Sequence, residues 1–180
     1  LKKHNLEIFH VQNLSIHGGS NRYFIKKIYN KRKVEKSVKI IRDKEIEYGL
    51  EKLSTYKQFA KRVISSKKIL KNIFDKINSK NKKIIGYGVT AKSTTILNYC
   101  KIDNGLIDYF IDTTKDKQNK YTPGTKIPIY KYPGFIKKNV EFVFLGAWNF
   151  KEEIFKKEKR FIKRGGKFII HTPIPKIIWK

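Results

Sequence analysis

Methionine is absent from this 180-residue sequence, cysteine occurs once, and 15 acidic residues face 42 lysines and arginines. The lone thiol, Cys100, excludes an intrachain disulfide framework and a cysteine-built zinc site. It closes a helical pattern and is expected to serve as a small buried hydrophobe. No apolar run approaches the roughly 20 residues of a membrane-spanning helix. Residues 1–27 also lack the uninterrupted apolar centre of a signal peptide. A cytoplasmic protein without membrane insertion is therefore the expectation. A chain that opens on Leu1 and contains no methionine reads as a piece of a longer product. Its length accommodates one domain, or one domain with fragments of a neighbour.

Arginine is scarce as well, standing only at positions 22, 32, 42, 62, 160 and 164, so the formal net charge of +27 is almost wholly lysine. Base edges and phosphate clamps favour the planar arginine fork. Here the lysines are scattered among isoleucines and asparagines rather than gathered along a groove. No specific nucleic-acid partner is expected, although salt-sensitive adhesion to polyanions suits the charge.

What is present changes character along the chain. Residues 6–14 and 22–28 have strand patterns around the break Ser15-Ile16-His17-Gly18-Gly19-Ser20. A hairpin alone is marginal in water, so these strands are expected to belong to a larger sheet. Residues 37–50 and those from Thr55 onward follow a helical pattern. Thr55-Tyr56-Lys57-Gln58 resembles a capping box, and Phe59, Val63, Leu70, Ile73, Phe74 and Ile77 form one expected buried stripe.

From Lys82 the pattern becomes strand–helix alternation, the mark of a parallel α/β sheet. Strands are expected at 83–87, 106–111, 126–130, 141–145 and 167–171, and helices at 90–100 and 150–164. Asn149 and Glu152 suggest a capping box for the second helix, and Gly165-Gly166 its stop.

The chemistry-bearing segment is Gly86-Tyr87-Gly88-Val89-Thr90-Ala91-Lys92, between an expected strand and helix. A G-x-G-x-x-A turn brings backbone N–H groups close to a phosphate, and the helix N-terminus adds favourable partial charge. Asp112 ends the following strand, where such folds place a ribose-binding carboxylate. Trp148 and Asn149 follow the fourth strand and would join them at the carboxyl edge. Lys117 and Tyr121 lie in a polar loop containing Pro123-Gly124, placed to cover a ligand. His17, Ser20 and Arg22 form a second polar cluster, suited to an anionic or hydroxylated substrate or to a plain hairpin turn. His171 reads as structural. No metal-ligand spacing and no nucleophile elbow occur.

Several of these segments, in order, resemble the C-terminal region of S-adenosylmethionine-dependent sugar C-methyltransferases. They are His17-Gly18-Gly19-Ser20-Asn21-Arg22, Ser54-Thr55-Tyr56 with Phe59, the turn at 86–92 with Leu97-Asn98-Tyr99-Cys100, residues 117–129, and Ala147-Trp148-Asn149. The resemblance implies a modular enzyme with a zinc-binding N-terminal part, a central methyl-donor domain and a C-terminal Rossmann-like domain. The substrate it implies is a nucleotide-diphosphate-linked keto-deoxysugar, methylated on carbon through an enolate-like carbanion. Residues 1–30 then correspond to closing strands of the donor domain, 31–80 to a helical connector and 81–180 to the Rossmann-like domain. S-adenosylmethionine and zinc would bind mainly upstream, so this chain alone is expected to be inactive. Ser93 and Thr94 depart from the glycine and asparagine common in the family. Two other readings of the same residues are an NAD-binding oxidoreductase domain and a non-catalytic polyanion-binding module.

Overall fold

The computed structural model describes residues 1–179 of the chain, which divides into two compact units, Leu1–Lys61 and Arg62–Lys180. In the first unit, β1 (Leu6–Leu14) pairs antiparallel with β2 (Ser20–Lys27), from Leu6 opposite Lys27 to Leu14 opposite Ser20. A bulge falls between Ile8 and His10. Helix α1 (Lys36–Tyr48) ends at Gly49, whose φ of 76° is the left-handed C-cap that favours glycine. The segment entering α1 lies along β1: the Glu35 N–H donates to the Phe9 carbonyl at 2.8 Å, and the Val11 N–H to Ser37 Oγ at 3.2 Å.

Helix α2 (Leu53–Asn78) starts two residues before Thr55, so Thr55 is not its N-cap. Its hydroxyl instead donates back to the Gly49 carbonyl at 2.8 Å, tying the α1–α2 turn. The expected apolar stripe is buried only at its C-terminal end, through Leu70, Phe74 and Ile77. Phe59 is 58% exposed and Val63 half-buried.

The second unit is a seven-stranded, mostly parallel sheet flanked by helices, a Rossmann-like α/β fold. Its strands are β3 (Ile84–Tyr87), β4 (Phe110–Asp112), β5 (Lys120–Tyr121), β6 (Pro128–Lys131), β7 (Phe142–Leu145), β8 (Lys167–Ile170) and β9 (Lys176–Ile178). The order is β5-β6-β4-β3-β7-β8-β9, with the five central strands parallel and both edge strands antiparallel. Helix α3 (Ala91–Cys100) follows β3, and α4 (Lys151–Lys157) and α5 (Lys159–Lys163) follow β7.

The central strands are buried on both faces, which is why they read as continuous apolar runs rather than alternating ones. One core layer joins Leu70, Phe74 and Leu97 to Ile84, Phe110 and Phe144. The other joins Ile85, Val143 and Leu145 to Ile154, Phe161 and Phe168. Cys100 is a buried member of the first, as its sequence context suggests.

Three elements differ from the sequence expectation. The apolar run at 106–111 is strand only from Phe110, because the Leu106 and Ile107 N–H groups turn back to the Asp103 carbonyl at 3.1 and 3.0 Å. Helix 150–164 is broken at Glu158, whose side chain turns inward to the Tyr132 hydroxyl at 2.6 Å and the Ile136 N–H at 3.3 Å. Phe150, not Asn149, is the N-cap of α4, with no side-chain capping bond, since residues 148–150 form a 3-10 turn of their own. Edge strands β5 and β9 are too short to announce themselves by periodicity. Among the described residues no helix is long and apolar enough to cross a membrane.

Candidate functional site

The chain leaves β3 for β4 on one side and returns through β7 on the other, so strand order reverses at the carboxyl ends of β3 and β7. Open α/β sheets bind ligands in that crevice. Three glycines let the backbone close there. A Cβ on Gly86 would stand 2.2 Å from the Phe110 ring, one on Gly88 would stand 2.6 Å from the Ala147 Cβ, and one on Gly146 would stand 2.1 Å from the Gly88 carbonyl oxygen. Gly88 also has φ of 76°, which disfavours any side chain.

Thr90 is the N-cap of α3 and forms a reciprocal cap with Ser93: the Ser93 N–H donates to Thr90 Oγ1 at 3.0 Å and the Thr90 N–H to Ser93 Oγ at 2.9 Å. Ser93, a departure from the family pattern, is thus the fully buried partner that fixes the helix start. The Gly88 N–H donates to the Ile111 carbonyl at 2.9 Å, and the Val89 N–H to Asp112 Oδ2 at 2.7 Å. Ala91 and Lys92, the first two helical residues, keep N–H groups that no intrahelical carbonyl reaches. With the helix dipole behind them, these are the donors of the turn that have no partner among the described residues.

Asp112 is 6% exposed at the end of β4. Each of its oxygens accepts one backbone N–H, Oδ2 from Val89 and Oδ1 from Thr114 at 2.8 Å, so the carboxylate clasps the β3–α3 turn to the loop after β4. Lys117 crosses the same gap, donating from Nζ to the Val89 carbonyl at 2.6 Å and standing 3.8 Å from Asp112 Oδ2. Gln118 completes the clasp with a 3.0 Å bond to the Asp112 carbonyl.

Val89, Asp112, Thr114 and Lys117 border a cavity of about 300 Å³, lined also by Tyr87, Thr113, Phe150, Glu153 and Lys157. The buried Tyr87 ring packs on Tyr132 at a centroid distance of 5.5 Å. Burial, followed by the negative charge of Glu158, pushes the Tyr87 hydroxyl well above the usual phenol range. The Tyr132 hydroxyl is raised likewise, first by burial and then by its bond to Glu158. Both phenols therefore stay neutral and act as hydrogen-bonding groups.

A second group gathers around the Trp148 indole. Lys92 Nζ lies 5.6 Å from the indole centroid. The His171 ring meets the indole edge-on at 6.4 Å and stacks on Phe144 at 5.4 Å. Burial lowers the His171 pKa from 6.5 to about 4. Its Nδ1 pairs with the Thr172 hydroxyl at 2.9 Å, while its buried Nε2 has no partner among the described residues.

The fold thus brings together Gly86, Tyr87, Gly88, Thr90, Ala91, Lys92, Asp112, Lys117 and Trp148 around the ends of β3, β4 and β7, with half-buried Asn149 in the adjoining turn. Tyr121 is 68% exposed on edge strand β5, beyond β6 and β4. Ser20 and Arg22 belong to the other unit, where they bind the Ile16 carbonyl at 3.2 Å and Gln12 Oε1 at 3.3 Å. The His17 side chain lies outside the described residues. Sequence reasoning missed the capping role of Ser93, and missed Thr114, Glu153 and Lys157. Ser93 was findable as a hydroxyl three residues after Thr90, whereas the α4 pair needed the tertiary fold.

Among the described residues no group of three or more histidine, cysteine, aspartate or glutamate side chains could hold a metal ion. The sequence profile of the C-methyltransferase C-terminal domain matches residues 15–175. The chain belongs to this family. It is similar to C-methyltransferase NovU from Streptomyces niveus, at 29% identity over 177 residues, 98% of this chain and 42% of NovU. This C-methyltransferase C-terminal domain therefore spans less than half the length of that relative.

Proposed function

We propose that this chain is the substrate-holding C-terminal part of an S-adenosylmethionine-dependent C-methyltransferase acting on a nucleotide-linked keto-deoxysugar. The observation that carries the reading is the convergence, at the reversal of strand order, of two uncapped N–H groups, the Lys92 ammonium and the Trp148 ring. A phosphate oxygen bound by the Ala91 and Lys92 N–H groups gains charge-assisted hydrogen bonds and the helix dipole. The Asp112 oxygens retain lone pairs beyond the bonds they accept, and in this reading one takes a ribose hydroxyl at the cavity wall.

The described residues do not fit the methyl donor itself. Of the turn's N–H groups, those of Gly88, Val89, Thr90 and Ser93 are already engaged within the chain. Donor and zinc are assigned to the rest of the enzyme, and residues 1–30 to the closing strands of its donor domain. S-adenosylmethionine supplies an electrophilic methyl group. This chain's residues supply position: fixing the nucleotide end holds the sugar still, so that remote binding energy orients the carbon to be deprotonated.

Calorimetric titration of the complete enzyme with a thymidine-diphosphate sugar tests the reading. Lys92→Ala is expected to weaken binding roughly tenfold, the worth of one charge-assisted contact. Unchanged affinity in both Lys92→Ala and Asp112→Ala would remove the assignment. Preferential binding of NADH would favour an oxidoreductase domain instead.

A further inference from the structure

Among the described residues, His171 Nε2 is the one buried side-chain nitrogen or oxygen without a hydrogen-bond partner, in a residue only 4% exposed. A buried polar atom left unpaired is costly, and in a folded unit it calls for a ligand or a water to complete its bond. Burial keeps the ring neutral, so one ring nitrogen carries the proton and the other a lone pair. The Thr172 hydroxyl occupies Nδ1 and is able to donate or accept there. Nε2 is left as the complementary acceptor or donor. A hydroxyl satisfies both cases, whereas a phosphate oxygen satisfies only one.

The place of the ring in the sheet narrows the ligand. Four groups follow one another along the carboxyl edge in strand order: Asp112 at the end of β4, the start of α3 after β3, Trp148 after β7, and His171 directly after β8. Neighbouring strands stand about 4.8 Å apart, so three steps carry the row over roughly 14 Å. With a phosphate on the first N–H groups of α3, that span accommodates a diphosphate with a ribose at the Asp112 end and a second sugar at the other. Neither Trp148 nor His171 lines the cavity beside Asp112, so the two ends are distinct.

Resting on the reading that this chain holds a nucleotide-linked sugar, we propose that Trp148 and His171 form the sugar end of the site: the sugar ring packs on the indole, and one of its hydroxyl groups bonds to His171 Nε2. The indole is itself half-buried and meets the His171 ring at 81°, so a small turn of it opens Nε2 to the crevice. Such a contact discriminates between sugars, because an analogue without that hydroxyl leaves a buried nitrogen unpaired.

Calorimetric titration of the complete enzyme with thymidine diphosphate and with thymidine-diphosphate glucose tests this. His171→Phe keeps a buried flat ring and removes both nitrogens. It should bind thymidine-diphosphate glucose about tenfold more weakly than the parent, the worth of one buried hydrogen bond, and thymidine diphosphate equally well. Equal affinities of parent and variant for the sugar nucleotide would overturn the proposal, and so would an equal loss with both ligands, which marks a structural role. Nitrogen NMR of histidine-labelled parent enzyme gives a readout that needs no variant. The Nε2 resonance of His171 should move with thymidine-diphosphate glucose and not with thymidine diphosphate. A resonance unmoved by the sugar would assign the bond to an internal water and overturn the proposal. Either failure in an enzyme that still binds thymidine diphosphate removes this inference alone, whereas a parent enzyme that binds neither ligand removes the reading it rests on.

Discussion

Asp112→Asn is a nearly isosteric change with a large expected effect, because it swaps an acceptor oxygen for a donor NH2 where two donors converge. In the native unit the carboxylate receives the Val89 N–H at 2.7 Å and the Thr114 N–H at 2.8 Å, one on each oxygen. An asparagine can satisfy only one of them, and without ionic assistance. The other N–H then faces an NH2 group in a position that is almost wholly buried. Losing one hydrogen bond to a charged group and stranding a buried donor costs about 3 kcal/mol. At about 4 °C per kcal/mol for a unit of this size, the midpoint of thermal unfolding should fall by roughly 12 °C. Near-ultraviolet circular dichroism follows the transition. Asp108→Asn is the control, since that carboxylate is 40% exposed and 3.8 Å from Lys83 Nζ, a surface pair worth under about 1 kcal/mol. A midpoint for Asp112→Asn within ~2 °C of the parent would refute the clasp.

His171 makes stability depend on pH. Its pKa is about 4 when folded and 6.5 when free, so the unfolded chain binds more protons between those values. Stability is fully present above pH 6.5 and should decline by on the order of 3 kcal/mol as pH falls toward 4. Measured across that window, the urea midpoint of the parent should fall relative to that of His171→Phe as pH drops; a constant difference would contradict burial of a neutral ring. Gly146→Ala should cost at least ~2 kcal/mol, because its Cβ would meet the Gly88 carbonyl oxygen at 2.1 Å, whereas Gly105→Ala should be nearly silent in the same denaturation assay. Phe74→Ala, at a ring that solvent does not reach, should cost about 3–5 kcal/mol by urea denaturation.

The five parallel strands and α3 were legible because buried strands are apolar runs and glycines punctuate their ends. The turn at 86–92 was legible as a close backbone approach, and its glycines do meet Phe110, Ala147 and the β7 end. The role of Asp112 as a clasp was not, because its partners are backbone N–H groups that only folding brings near. Nor was the break at Glu158 visible: its helical neighbours outweigh one residue, and the Tyr132 hydroxyl that draws its side chain inward lies 26 positions away. The Thr55 and Asn149 caps failed because their local patterns were matched by chance. Leu53 begins one helix, and Trp148 to Phe150 make a separate 3-10 turn before the other.

The seven-stranded sheet is closed at both margins by strands of only two and three residues, β5 and β9. They begin with Lys120 and Lys176, and prolines 123 and 175 stand close by. Such margins give a foreign strand almost no length to seize and present charge to it. During synthesis or stress the two units should therefore carry unequal hazards. The eight-residue β2, which has a strand on one side only among the described residues, offers far more length than β5 or β9, so chains are expected to clump through the hairpin before they clump through the sheet.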